Sequence, residues 1–277
     1  MSNLHPETVR GFGEEWTSFD QTLLRQSEAA VLFDQYFAVF PWESLPPDPE
    51  GFDLGCGSGR WALFVAPRVR KLHCIDASPD ALRVAKMNLS SFENCEFHLA
   101  SVDQMPLPDA AMDFGYSLGV LHHVPDTAAA IRSCVMKLKP RAPLLLYLYY
   151  DFEDRPRWFR GVWKVSDWMR RRISRLSAKR KRLLTDVIAA VVYLPLARVS
   201  WLLSHFGVGT KHIPLSFYKD RSFYTMRTDA LDRFGTILEQ RFSRAEIQQM
   251  MESAGLRHIA FSEAPPFWCA VGLKDES

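Results

Sequence analysis

The sequence predicts an α/β fold: a doubly wound, mostly parallel, seven-stranded sheet with an N-terminal helical segment and a helical insertion after the fifth strand. Three observations carry this. Between residues 51 and 150, short apolar runs alternate with helical patterns, as crossovers in one sheet require. The run Leu144–Tyr150 is apolar on both faces, as a buried parallel strand is. The alternation breaks over 151–225 and resumes over 226–277.

Each element has a local reason. Residues 1–50 read as helix and loop, ending in Pro46-Pro47-Asp48-Pro49, which stops a helix and delivers the chain extended. Phe52–Leu54 is a short strand before a glycine loop, and Lys71–Ile75 is a second strand. Ser78-Pro79-Asp80 opens a helix that runs to about Leu89, with a serine cap, proline at the first helical position and an acid in the first turn. Glu96–Ala100 and Met112–Leu118 are the third and fourth strands, and Lys139-Pro140 stops a helix over Thr127–Leu138. Ser243-Arg244-Ala245-Glu246 is a capping box for a helix ending at Gly255. His258–Glu263 and Trp268–Leu273 then read as strands. The chain thus divides into 1–50, a core over 51–150, an insertion over 151–225 and a core-completing segment over 226–277.

Composition sets the outer bounds. The 277 residues are 47% hydrophobic and 24% charged, which excludes a disordered chain, a collagen-like repeat or a disulfide miniprotein. Length suffices to bury a large core without staples. Cys56, Cys74, Cys95, Cys134 and Cys269 form no CxxC pair and no metal-like spacing with histidine, so no metal site is expected. An odd number of scattered thiols fits a reducing cytoplasm. Met1–Arg10 is polar and unlike a secretory signal. The most apolar stretch, Val187–Ala197, is interrupted by Pro195 and ended by Arg198, too short and too broken for a membrane span on this reading.

The strongest motif is Asp53-Leu54-Gly55-Cys56-Gly57-Ser58-Gly59. A strand runs into three glycines and then a helix, which lets backbone approach a ligand and leaves helix N-terminal amides for an anionic group. Asp76 follows Gly59 by 17 residues at the end of the next strand, where an acid can take both hydroxyls of a ribose. A dinucleotide site wants GxGxxG, whereas Arg60 stands after Gly59 and the spacing is GxGxG. The acid at Asp53 also suits a cationic ligand better than a pyrophosphate. A nicotinamide oxidoreductase is therefore disfavoured.

The string DLGCGSGRW resembles the first motif of class I S-adenosylmethionine-dependent methyltransferases, and the resemblance covers about residues 50–150. The chain is similar to the broad group that includes the ubiquinone and menaquinone methyltransferases, with a Rossmann-like fold and diverse acceptors. The resemblance implies that Gly55, Cys56, Gly57 and Gly59 lie against the methionine part of S-adenosylmethionine and that Asp53 holds its ammonium. It implies that Asp76 binds the ribose, with Ala77 and Ser78 beside the adenine. Val102 and Asp103 would meet the adenine amino group, and Leu118 and Gly119 would line the cofactor. The element Phe12-Gly13-Glu14-Glu15-Trp16-Thr17-Ser18-Phe19 resembles an FGxxWxxF lid of such enzymes, making Phe12 and Trp16 cofactor contacts. The competing reading is an aromatic helix packed on the sheet.

Val120-Leu121-His122-His123-Val124-Pro125-Asp126 follows the fourth strand. Either His122 or His123 could serve as a general base near neutral pH, or both cap backbone groups in the loop. Methyl transfer is an in-line displacement, so alignment can supply most of the acceleration. Ligands of open α/β sheets sit beyond the carboxyl ends of strands, which makes Tyr149 and Tyr150 candidate acceptor-pocket walls. Tyr218, Arg221, Tyr224 and Arg227 form a second polar-aromatic cluster. It could bind a carboxylate or phosphate or form a salt-bridged seam.

The insertion is strongly basic. Arg155–Arg182 holds 12 Lys or Arg against the single acid Asp167, a net charge of +11. Trp158, Phe159, Trp163, Trp168 and Met169 alternate with the cations. Three readings stay open: a solvated helical face, a membrane-surface helix, or a nucleic-acid contact, the last the least favoured. On the membrane reading, Arg170, Arg171 and Arg172 are the expected contacts. The expected function is methyl transfer to a small-molecule or lipid-like acceptor, in the cytoplasm or at a membrane periphery. The alternatives are an RNA methyltransferase and a non-catalytic cofactor-binding protein.

Overall fold

A computed structural model describes residues 3–21, 23–153, 156–210 and 213–276. Helices α1 (Pro6–Ser18) and α2 (Gln26–Tyr36) precede strand β1 (Glu50–Leu54). The chain then runs α3 (Ala62–Val65), β2 (Lys71–Asp76), α4 (Pro79–Asn88), β3 (Cys95–Leu99), β4 (Phe114–Leu118), α5 (Thr127–Lys137) and β5 (Pro143–Tyr147). Helices α6 (Arg157–Ile173), α7 (Ala178–Ile188), α8 (Leu194–His205) and α9 (Phe223–Gly235) follow, and α10 (Arg244–Ser253), β6 (Leu256–Phe261) and β7 (Cys269–Lys274) come last.

The seven strands form one sheet in the order β3-β2-β1-β4-β5-β7-β6. Strands β1 to β5 pair in parallel, and β7 is antiparallel to both neighbours. Strand order reverses between β1 and β4, which opens a crevice at their carboxyl ends. The second strand starts at Lys71 as expected, the other starts shift by one or two residues, and the fifth strand ends at Tyr147 rather than Tyr150. Met112, for example, makes only an isolated bridge to Leu138, and β4 proper begins at Phe114. Helix α4 starts where its cap predicts: the Ser78 hydroxyl accepts from the Ala81 amide, with Pro79 in the first turn. Helix α10 carries the complete capping box of Ser243 and Glu246.

Two compact units emerge. The core unit holds the chain through Asp20, 29–153 and 238 onward, and the second unit holds 21–28 and 154–237. The boundaries differ from those expected at 50, 150 and 225. Helix α9 supplies Met226, Ala230 and Phe234 to a cluster with Ile173, Ile188, Ala189 and Tyr193, so the insertion extends to residue 237. The segment expected as one lid divides too. Helix α1 lies at the ligand crevice, whereas Phe33 of α2 and Phe37 just after it are buried, and Phe37 meets Tyr116 of β4 edge-on at 5.3 Å.

Within the second unit, α7, a π-helical turn (Ala189–Tyr193) and α8 form one helix of 28 residues, Ala178–His205. Its most apolar stretch has a mean hydropathy of 1.8 and is 28% buried. The expectation of a segment too short and broken is corrected by the π turn. Proline lacks an N–H and clashes with the carbonyl four residues back. The wide turn just before Pro195 puts it at the start of a new α segment. A second correction concerns Arg170, which is 5% exposed. Its guanidinium donates to Asp167 and to the carbonyls of Thr236 and Ile237, so it is a buried strut and not a surface contact.

Candidate functional site

The crevice beyond β1 and β4 is an open pocket with about 930 Å³ of empty space, the solvent at its mouth included. Its floor is the glycine loop. Gly55 has φ +75 and Gly57 has φ +55, backbone that L side chains rarely adopt. A methyl on Gly55 would stand 2.4 Å from the Val120 side chain, and one on Gly57 would stand 2.8 Å from the Trp16 indole. The loop is therefore clamped between the β4 loop and α1, and only glycine fits both places.

Asp76 ties this loop to the next. Its carboxylate accepts from the amides of Gly57 (2.9 Å) and Ser78 (2.8 Å). Burial raises its pKa, and the amides of Ser78, Gly57 and Ala77 oppose the rise. Each carboxylate oxygen has a second lone pair, so the oxygens of this cavity-lining residue can still accept from two ribose hydroxyls. Asp53 is different. It is 1% exposed, and neither carboxylate oxygen has a hydrogen-bond partner. Burial, opposed by the neighbouring Tyr116 hydroxyl, pushes its pKa well above the ordinary carboxylate range, yet no bond of ordinary geometry joins the pair. An orphaned acid beneath a glycine loop is the complement of a cationic ligand. Cys56 stays a thiol: against a Cys74 hydrogen bond that lowers it, burial and the nearby Asp76 and Asp53 push its pKa up to about 11.

The two histidines have different settings. His122 is fully buried and stacks on Tyr149 at 3.8 Å, with no partner on either ring nitrogen. Burial, then the charges of His123 and Arg241, hold its pKa well below the ordinary value. His123 lines the cavity. Its Nδ1 lies 2.6 Å from the Leu238 carbonyl, so the neutral ring donates there and carries its lone pair on Nε2.

Residues 52–146 match the family described as a methyltransferase domain. These residues are thus similar to a methyltransferase domain, a kind of domain whose cofactor is S-adenosylmethionine. A ubiquinone biosynthesis O-methyltransferase of Xanthomonas axonopodis pv. citri is 31% identical over 103 residues, 36% of this chain and 43% of that protein. A malonyl-[acyl-carrier protein] O-methyltransferase of Serratia marcescens is 29% identical over 99 residues, 36% of this chain and 38% of that protein. The match thus spans about two fifths of these relatives' length. Human N-acetylserotonin methyltransferase in complex with S-adenosylmethionine shares the fold, with a TM-score of 0.54 at 19% identity, over 97% of this chain and 58% of that one.

The residues of the methyltransferase domain fit this cofactor. Phe12, Trp16, Gly55, Cys56, Asp76, Ala77, Val102, Leu118 and Gly119 all line its cavity. Gly57, Gly59 and Ser78 shape the walls without lining them, and Asp53 lies beneath. Asp103 also sits behind the wall, accepting from the Asn3 amide (3.3 Å) and the Ser101 hydroxyl (2.7 Å).

Acceptor-side expectations fare differently. Tyr149 and Tyr150 do not line the domain's cavity. Tyr149 is taken up against His122, and Tyr150 packs on Phe152 and Phe267. Tyr218, Arg221, Tyr224 and Arg227 belong to the second unit, and neighbours inside that unit engage them. Tyr218 donates to Asp229, Arg227 holds Asp186 with two bonds of 2.8 Å, Tyr224 accepts from the Gln21 amide, and Arg221 lies over the Phe217 ring.

Several site residues had no motif to reveal them. Asn3, which lines the cavity, exchanges hydrogen bonds with the backbone of Asp126 (2.7 and 2.8 Å), the residue that caps α5. Arg60 lines the cavity and lies over the Trp61 and Trp16 rings. Its Nε is buried without a partner, so a carboxylate of the cofactor's methionine part would find a cation there. Arg60 follows the last glycine directly, and that position was its only signal. A metal-capable group also emerges where no spacing showed one: the ligand atoms of His73, Glu96 and His98 lie within 4.8 Å of one another. His73 bridges Glu50 (2.8 Å) and His98 (2.9 Å), a chain that engages both His73 nitrogens and the Nε2 of His98 in hydrogen bonds without a metal.

Proposed function

We propose that the protein transfers a methyl group from S-adenosylmethionine to a small, lipid-like acceptor. The observation that carries this is the orphaned Asp53 carboxylate under a glycine loop, one residue from the cavity floor and adjacent in the sheet to the Asp76 strand. When bound, the cofactor supplies an electrophilic methyl group. Asp53 would balance its cationic end, Asp76 would accept from its ribose, and the Trp16 and Phe12 rings would exclude water. Both relatives named above are O-methyltransferases, which supports an oxygen acceptor. His123 Nε2 is then the base that takes the hydroxyl proton, while the Leu238 carbonyl fixes the tautomer. His122, stacked in the wall, is a positioning residue for His123.

The reading includes contact of the basic second unit with a membrane periphery from the cytoplasmic side, supported by its +11 segment. An activity screen tests the whole. Formation of S-adenosylhomocysteine with hydroxylated aromatic or isoprenoid acceptors supports it. Cofactor binding with no turnover on any acceptor favours a non-catalytic protein, and methylation of RNA favours the other alternative.

A further inference from the structure

We infer that the second unit is an in-plane membrane anchor whose apolar helix face sits in the hydrocarbon edge of an anionic bilayer. This deepens the peripheral contact proposed above and rests on it, replacing a charge-only attachment with an inserted one. On the Ala178–His205 helix, Leu183, Val187, Val191, Val199 and Leu202 are exposed, and Phe206, the residue after it, is exposed too. Their spacings of three, four and eight residues place them along one side. Helix α6 presents a second exposed apolar stripe, Trp158, Val162, Val165 and Trp168. Isolated exposed apolar residues are ordinary, but contiguous faces of this extent mark a partner or a membrane.

The opposite side of the long helix decides how it can lie. Ile188, Ala189, Tyr193 and Ala197 are buried against Met226, Ala230 and Phe234 of α9. A spanning orientation would strip that side from its partner. An orientation parallel to the surface keeps it packed and buries only the exposed side. Charge selects the occupant. Lys164, Arg172, Arg175, Lys179 and Arg180 are exposed beside these stripes, and Arg172 lies over the Trp168 ring at 4.5 Å. Tryptophan with arginine at an apolar border suits the headgroup level, where long cationic stems reach up to phosphates. A soluble protein partner would have to match both a net +11 and a long apolar stripe. An anionic bilayer matches both at once.

Vesicle cosedimentation tests this with vesicles of phosphatidylcholine containing phosphatidylserine. Salt of about 1 M shrinks the screening length to about 3 Å and removes most charge attraction. Wild-type protein should remain with the vesicles there. Val187→Glu/Val191→Glu, on an exposed face, should lower the partition about tenfold or more at both low and high salt. Lys179→Gln/Arg180→Gln should lower it only at low salt. Quenching of wild-type tryptophan fluorescence by lipids brominated on the acyl chains should be strong, a reading that needs no variant. Complete release by salt would overturn insertion in favour of a surface contact. No vesicle binding with concentration-dependent self-association would assign the face to a second copy, and salt-labile RNA binding in place of vesicle binding would assign the cations to nucleic acid. Calorimetry with S-adenosylmethionine on the same preparation separates this from the catalytic reading, since the core unit's cavity is left untouched.

Discussion

Asp53 pits binding against stability. A buried acid with no partner is costly in the ligand-free protein, and burial keeps it protonated well above the usual range. Asp53→Asn should therefore raise the melting temperature by roughly 2–4 °C, about 1 kcal/mol, while weakening cofactor affinity. The sign for pH follows. If the bound cation draws Asp53 into its ionised form, binding releases a proton, and affinity falls as the pH drops below the raised pKa. Calorimetry in buffers of different ionisation heats measures that proton directly; uptake or no exchange would remove Asp53 from the site. The histidines divide along the same lines. His123→Ala should lower turnover about 100-fold with cofactor affinity nearly intact. His122→Phe, which keeps a stacked ring on Tyr149, should retain most activity. The doublet at 122–123 was visible in the sequence, but which ring faces the cavity was not, because it depends on Tyr149 in the next strand's extension and on Leu238, 115 residues from His123.

At the level of elements, capping residues and buried runs were the legible features. Ser78 and Ser243 cap their helices, and β4 and β5 are buried as their composition requires. The second unit was harder, because its boundaries follow from which helix packs on which and not from local composition. Pro195 read as a break, and only the preceding π turn shows how the helix continues through it. Arg170 read as one cation in a basic run, yet it holds α6 to the carbonyls after α9. Although burial raises the Asp167 pKa, Arg170 and Arg171 hold it below the ordinary value. This ion pair stabilises above about pH 4 and is lost as the pH falls further. Arg170→Gln should cost about 3 kcal/mol, seen as early melting of helical signal, whereas Arg172→Gln should cost little. Equal effects would contradict the buried-strut assignment.

The whole molecule has a core unit similar to a methyltransferase domain over residues 52–146, legible from one motif and one acid, and a basic, apolar-faced unit whose chemistry depends on side chains left exposed. The central claim is that the cavity beyond β1 and β4 holds S-adenosylmethionine, with Asp76 on its ribose. Isothermal titration of the purified protein tests this most directly. The account predicts micromolar binding of S-adenosylmethionine and S-adenosylhomocysteine, no heat with NAD, and a loss of about 1.5–3 kcal/mol on Asp76→Ala. Binding of NAD in place of S-adenosylmethionine, or unchanged affinity in the Asp76→Ala variant, would contradict it.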